Sequence, residues 1–159
     1  MPYSVLKLFS GIYEGNIIIT KPITIIGKEE GVIIQGSRDG NVITIKSSKV
    51  KLQNLKITKS GMRREFLDSA IFVNNAKDVE IQKCIIEDSN LGIFLDNVSH
   101  SKILDNKVSS LEENIDLRGD GVRLWFSHNN IIKNNSFIKS RDIVLMYSND
   151  NIVENNYMQ

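Results

Sequence analysis

Residues Gly119 to Asn156, GDGVRLWFSHNNIIKNNSFIKSRDIVLMYSNDNIVENN, match themselves at an offset of 21 positions. The offset sets Val122 over Ile143, Leu124 over Leu145, Ser127 over Ser148, Ile132 over Val153, Asn135 over Asn156 and Phe137 over Met158. A unit this short cannot bury its own apolar side chains and must stack on a neighbour. Within each unit, short apolar-alternating runs (Val122 to Leu124, Asn130 to Ile132, Asn135 to Phe137) are parted by two or three residues drawn from Ser, Asn, Asp and His. Those are strand lengths with turn chemistry, and no segment carries an apolar face of helical period and length. The spacing predicts an all-β chain: a parallel β-helix of about six coils, three short strands to a coil.

Upstream of the clearest repeat the same pattern persists. Strands are expected over Val5 to Phe9, Ile17 to Thr20, Ile23 to Ile26 and Val32 to Ile34, and from Asn41 onward the units align. Ile43, Ile71, Ile93, Val122 and Ile143 form one inward column, and Ile45, Val73, Leu95, Leu124 and Leu145 a second. Leu52, Ile81, Ile103, Ile132 and Val153 form a third, and Ile57, Ile86, Val108, Phe137 and Met158 a fourth. Parallel strands stack about 4.8 Å apart, so equivalent residues of successive coils touch. One column is polar: Asn106, Asn135 and Asn156, with Cys84 one coil below. An amide both donates and accepts, so a ladder of buried amides is expected, capped by a buried thiol.

Composition narrows the class. At 159 residues, 41% hydrophobic and 25% charged, the chain fits one ordinary domain, 1–159, and two prolines leave no room for a linker. A net charge of +1 supplies no basic field for nucleic acid, and no stretch approaches the about 18 apolar residues of a membrane span. Cys84 is the single cysteine, which excludes an intrachain disulfide. Met1 to Ser10 lacks the charged and apolar regions of a signal peptide, and the chain stops at Tyr157-Met158-Gln159 within the third strand of a unit, with no polar cap. A longer natural stack is the expectation from both ends.

The first strands are not evenly spaced: Ile43 to Ile71, Ile71 to Ile93, Ile93 to Val122 and Val122 to Ile143 span 28, 22, 29 and 21 positions. The excess lies in two inserts, 61–68 (GMRREFLD) and 110–120 (SLEENIDLRGD), each following the third strand of its unit. Both are expected to leave one corner two coils apart and form a charged ridge, as inserts that serve binding do.

Three groups of residues could carry chemistry. His100 and His128 fall in polar turns of adjacent coils, one position out of step, with Met146 a coil later; two imidazoles and a thioether suit copper better than a hard cation. Phe72, Phe94, Arg123, Trp125 and Met146 fall on the outward side of the first strands, where exposed aromatics beside arginine predict a contact surface for protein or saccharide. Asp116, Asp120, Arg123 and Arg141, with Arg118 and Asp142 beside them, could line a saccharide groove of a lyase or epimerase. No compact acidic cluster recurs over adjacent coils, so that enzymatic reading is an alternative, beside a purely structural stack of coils with no site in this segment.

The strings GIYEGNIIITKPITIIG at 11–27, SAIFVNNAKDVEI at 69–81, LGIFLDN at 91–97, RGDGVRLWFSHNNIIKNN at 118–135 and SRDIVLMYSNDNIVENN at 140–156 resemble the NosD family of nitrous oxide reductase maturation proteins. The resemblance implies a right-handed parallel β-helix of the pectate-lyase-like kind, exported to the periplasm. It further implies work with an ABC transporter on the copper-sulfur centre of nitrous oxide reductase, without enzymatic turnover. The implied partners are transporter subunits, a copper chaperone and the reductase; the implied metal is copper. The chain departs from the family in lacking an export signal and in stopping where a full-length member continues.

Overall fold

The computed structural model describes residues 4–110, 114–140 and 142–159. Its backbone winds through three parallel sheets, one strand of each per coil. The first sheet stacks Ser4–Leu8, Ile23–Gly27, Val50–Gln53, Glu80–Gln82, Lys102–Leu104, Ile131–Lys133 and Ile152–Glu154. The second stacks Gly11–Glu14, Val32–Gln35, Lys56–Thr58, Ile85–Ser89, Lys107–Ser110, Ser136–Ile138 and Tyr157–Met158. The third stacks Ile17–Ile19, Ile43–Ile45, Ser69–Lys77, Leu91–Ser99, Val122–Trp125 and Ile143–Met146. Six coils are complete, as the repeat spacing predicts. Gly11–Glu14 is a strand that the sequence reading passes over, because Gly-Ile-Tyr-Glu offers little alternation to read.

Register makes the core. Ile43, Ile71, Ile93, Val122 and Ile143 lie opposite one another in the third sheet, as do Ile45, Val73, Leu95, Leu124 and Leu145. The first sheet aligns Leu52, Ile81, Ile103, Ile132 and Val153, and the second aligns Ile57, Ile86, Val108, Phe137 and Met158. These side chains are buried in the middle coils and open to solvent on the last, where Leu145, Val153 and Met158 are exposed. Burial of a whole Ile or Leu is worth about 1.5–3 kcal/mol, so the stack is driven by these columns.

Corners need backbone of positive φ, and the sequence supplies residues that tolerate it. Between the first and second sheets, Asn54, Lys83, Asp105, Asn134 and Asn155 all have φ of 52–58°. The next residue of each corner points inward, and there the amide ladder runs. Asn106 N–H and its Nδ2 both donate to Asn135 Oδ1, at 2.9 and 3.0 Å, while Asn135 N–H and Nδ2 both donate to Asn156 Oδ1 at 3.0 Å. The second hydrogen of each Nδ2 reaches a backbone carbonyl, Ile81 for Asn106 and Ile103 for Asn135, each at 2.9 Å. Cys84 N–H donates to Asn106 Oδ1 at 2.9 Å, which closes the ladder from below. A second ladder, not foreseen, stands at the corner after the third sheet: Val79 N–H to Ser101 Oγ, Ser101 N–H to Asn130 Oδ1, and Asn130 N–H to Asn151 Oδ1.

Replacing Asn135 by Ala would strand the buried Asn106 N–H and the Ile103 carbonyl. A loss of about 2–4 kcal/mol is expected in urea unfolding, with a smaller loss for Asn156→Ala, whose side chain is half-buried. Burial pushes the Cys84 thiol up to about 12 from 9.0. Below pH 9 the thiol is protonated in both folded and unfolded chains. Between 9 and 12 only the unfolded chain releases the proton, so stability falls as pH rises through that window. Cys84→Ala is expected to flatten that part of the stability–pH curve.

Candidate functional site

Both inserts emerge at the corner from the second sheet into the third, one before Ser69–Lys77 and the other before Val122–Trp125, two coils apart as the spacing predicts. Residues 111–113 of the second insert and Arg141 lie outside the described residues. The inserts lean on each other: Arg64 Nη2 donates to the Leu117 carbonyl at 2.6 Å. Leu117 ends a single 3-10 turn, Ile115–Leu117, whose Asn114 cap accepts from Asp116 N–H at 3.0 Å. Gly119 then crosses the intervening coil so closely that a Cβ would stand 1.8 Å from the Asn90 carbonyl oxygen. Only glycine admits that approach.

Buried carboxylates pin this corner. Asp68 accepts from the Arg63 N–H at 3.1 Å and from Arg63 Nε at 3.0 Å, and this bond is the chief cause that raises the Arg63 guanidinium above its ordinary pKa. Arg63 also lies 4.8 Å over the Phe66 ring. Asp120 is 6% exposed and accepts from Arg123 Nε at 2.8 Å. A cavity of about 130 Å³ opens between the inserts, lined by Arg64, Asn90, Asp116, Arg118, Asp120 and Arg123 among others. The fold therefore gathers Asp116, Arg118, Asp120 and Arg123, and Asp142 joins through its carbonyl, which accepts from Gly121 N–H at 2.8 Å. Asp68 and Asp120 are both committed to arginine, an arrangement that holds a corner in shape.

The outward face of the third sheet borders the cavity. Phe72, Phe94, Arg123 and Val144 stand in one column, and Asn74, Asp96, Trp125 and Met146 in the next. One expectation needs correcting: Phe94 is only 9% exposed, so it is floor rather than contact surface. Phe72 packs against it at 5.1 Å between ring centroids, and Arg123 sits on the rung above. Trp125 is half-buried and Met146 exposed.

Two aromatic residues of this face escape the sequence reading. Phe126 and Tyr147 follow Trp125 and Met146 at the corner position that earlier coils fill with Asn75 and Asn97. All four have positive φ, 46° and 50° for the aromatics. Their rings stack at 5.0 Å and 10°, and Trp125 stands edge-on to both at 5.4 and 5.3 Å. Recurrence of an aromatic at one turn position in adjacent units, Trp-Phe then Met-Tyr, was the available signal.

The histidines occupy different register positions. Exposed His100 has φ of 52° at a corner where other coils place Asp78, Asn129 and Asp150, also left-handed. His128 pairs with Ser99, one residue earlier, and its Nδ1 accepts from Asn149 N–H at 2.9 Å. In the neutral ring that bond puts the proton on Nε2, so ligation through either nitrogen competes with it. Among the described residues no group of three or more His, Cys, Asp and Glu is placed to hold a metal ion.

The family described as "Right handed beta helix region" matches residues 30–159. A Pseudomonas aeruginosa protein named "Probable ABC transporter binding protein NosD" is 27% identical over 138 residues, 86% of this chain. The chain spans about a third of that relative, 32% of its length. Among solved structures, a Parabacteroides merdae protein provisionally assigned as a glycosyl hydrolase superimposes with a TM-score of 0.82 at 13% identity, covering 98% of this chain and 81% of the other. An alginate lyase from Paenibacillus gives 0.63 at 16% identity, covering 99% and 70%. At such identities the likeness is one of fold. Among the described residues no helix is long and apolar enough to cross a membrane.

Gly119→Ala is expected to lift the second insert from Asn90, costing about 1–3 kcal/mol and speeding hydrogen exchange at Asn90 and Leu91. Unchanged exchange would show that the inserts do not depend on this contact.

Proposed function

The chain belongs to the right-handed β-helix family, and on that premise we propose that it is a non-enzymatic accessory protein of the NosD kind. In this reading it is a periplasmic coil stack that docks protein partners of an ABC transporter system during maturation of the copper-sulfur centre of nitrous oxide reductase. The observation that carries the reading is the 27% identity to NosD across 86% of the chain. Support comes from the corner itself. The Arg64 bond ties the two inserts, ion pairs hold Asp68 and Asp120 at their ends, and a half-buried tryptophan stands on the adjoining sheet, which together support a docking surface.

The docking residues are Arg123, Trp125 and Met146, with Phe72 and Phe94 as the packed floor beneath them. Transporter subunits, a copper chaperone or the reductase would meet this face. Tagged protein is expected to retain transporter subunits in a pull-down, and an Arg123→Ala, Trp125→Ala variant to lose them while keeping its β-sheet circular dichroism. Incubation with alginate, pectate or an α-1,3-glucan is expected to leave the polymer intact. Shortened or unsaturated products would overturn the non-enzymatic reading and return Asp116, Asp120 and Arg123 to a saccharide groove.

Copper handling by His100 and His128 is a separate part of the proposal, resting on the chemistry of two imidazoles in adjacent coils with the Met146 thioether one coil later in the sequence. Competition titration with Cu(I) and Cu(II) decides it. Tight binding lost in the His100→Ala, His128→Ala variant makes the protein a carrier, and binding absent or retained removes both residues from the function.

A further inference from the structure

The cavity of about 130 Å³ between the inserts is walled by the middle of the stack, with Ile43–Ile45 of one further coil below it and Ile143–Met146 of another above. Arg64 and Arg123 both line it with N–H groups to spare. Arg123 gives Nε to Asp120 at 2.8 Å, and Arg64 gives Nη2 to the Leu117 carbonyl at 2.6 Å. Among the described residues nothing accepts from the Nη groups of Arg123 or from Nε and Nη1 of Arg64.

Asn90 lines the same cavity and is only 5% exposed. Its Nδ2 donates to the Asp68 carbonyl at 3.0 Å, but its Oδ1 accepts from no described residue, where a buried amide oxygen ordinarily has a donor. Leu67, Leu91 and Leu117 add apolar wall. Among the described residues, three arginines against two aspartates, Asp116 and Asp120, leave the lining one positive charge in excess. The cavity therefore suits one negative charge, one hydrogen-bond donor close to it, and a small apolar group.

The end of a polypeptide carries those three groups on a single carbon: the free carboxylate, the amide N–H and the last side chain. A carboxylate matches the fork of an arginine, and the N–H beside it can reach an amide oxygen. Other anions match less of the lining. The second charge of a phosphate would face Asp116 and Asp120, and a sugar acid would set hydroxyls against three leucines. We propose that this cavity captures the C-terminal carboxylate of a partner polypeptide whose last residue is aliphatic, with Arg64 and Arg123 on the carboxylate and Asn90 on the last N–H. This rests on the docking reading above and names the part of the partner that is docked.

Calorimetric titration with an acetylated tetrapeptide ending in valine tests this directly. The free acid is expected to bind saturably at one site, and the same peptide with an amidated end to bind at least about tenfold more weakly. Added salt is expected to weaken the free acid and leave the amide unchanged. Arg123→Gln, which keeps a donor for Asp120 but removes the charge, is expected to weaken the free acid by a similar factor without affecting the amide. The inference falls if the free acid does not bind, if the amide binds equally, or if inorganic phosphate or trigalacturonate displaces the peptide at equal concentration. Should transporter subunits still be captured through Arg123 and Trp125 while the free acid fails, the docking function stands and this inference alone is lost.

Discussion

Each strand bonds its counterpart one coil away with no slip over most of its length, and everything else in the molecule depends on that register. Because Ile81 meets Ile103 and Ile103 meets Ile132, a residue type that packs well in one coil packs well in the next. The same rule governs polar side chains. A lone buried Asn135 would be costly, yet between Asn106 and Asn156 its amide oxygen and both amide hydrogens find partners, and it is only 2% exposed.

Corners are where the register leaves freedom. A turn of left-handed backbone can be tight, as at Asn134, or can be opened to admit an insert without disturbing the strands on either side. Both inserts use one corner, which is why Arg64 of the first reaches Leu117 of the second across an intervening coil. Gly119 makes that crossing possible, and Asp68 and Asp120 anchor its two ends on arginine. The face beside them inherits rigidity from the sheet rather than from the loops.

A β-helix says little about chemistry by itself. Lyases and hydrolases share this backbone with the chain at 13–16% identity, and the side chains decide which work is done. In this chain Asp120 beside the cavity is tied to Arg123 in an ion pair that shapes the corner, and Asp116 lines the same cavity.

Much of this was legible in one dimension, and for a physical reason. Stacking at a fixed rise turns a 21-residue recurrence into columns, so the buried set, the amide ladder below Asn156 and the shared corner of the two inserts follow from spacing alone. Features that depend on what lies across a coil boundary did not follow. Phe94 reads as outward and exposed until Phe72 and Arg123 are seen to flank it. Nothing in the sequence shows that the Nδ1 of His128 accepts from Asn149 of the next coil. Phe126 and Tyr147 read as turn residues until their shared left-handed corner brings the rings to 5.0 Å. The sequence by itself determined the repeat, and with it the coil, the core and the place of the inserts, because hydrophobic period and turn chemistry are local. Only the tertiary structure decided which outward side chains are covered, paired or left open, because that depends on contacts between coils more than twenty residues apart in the chain.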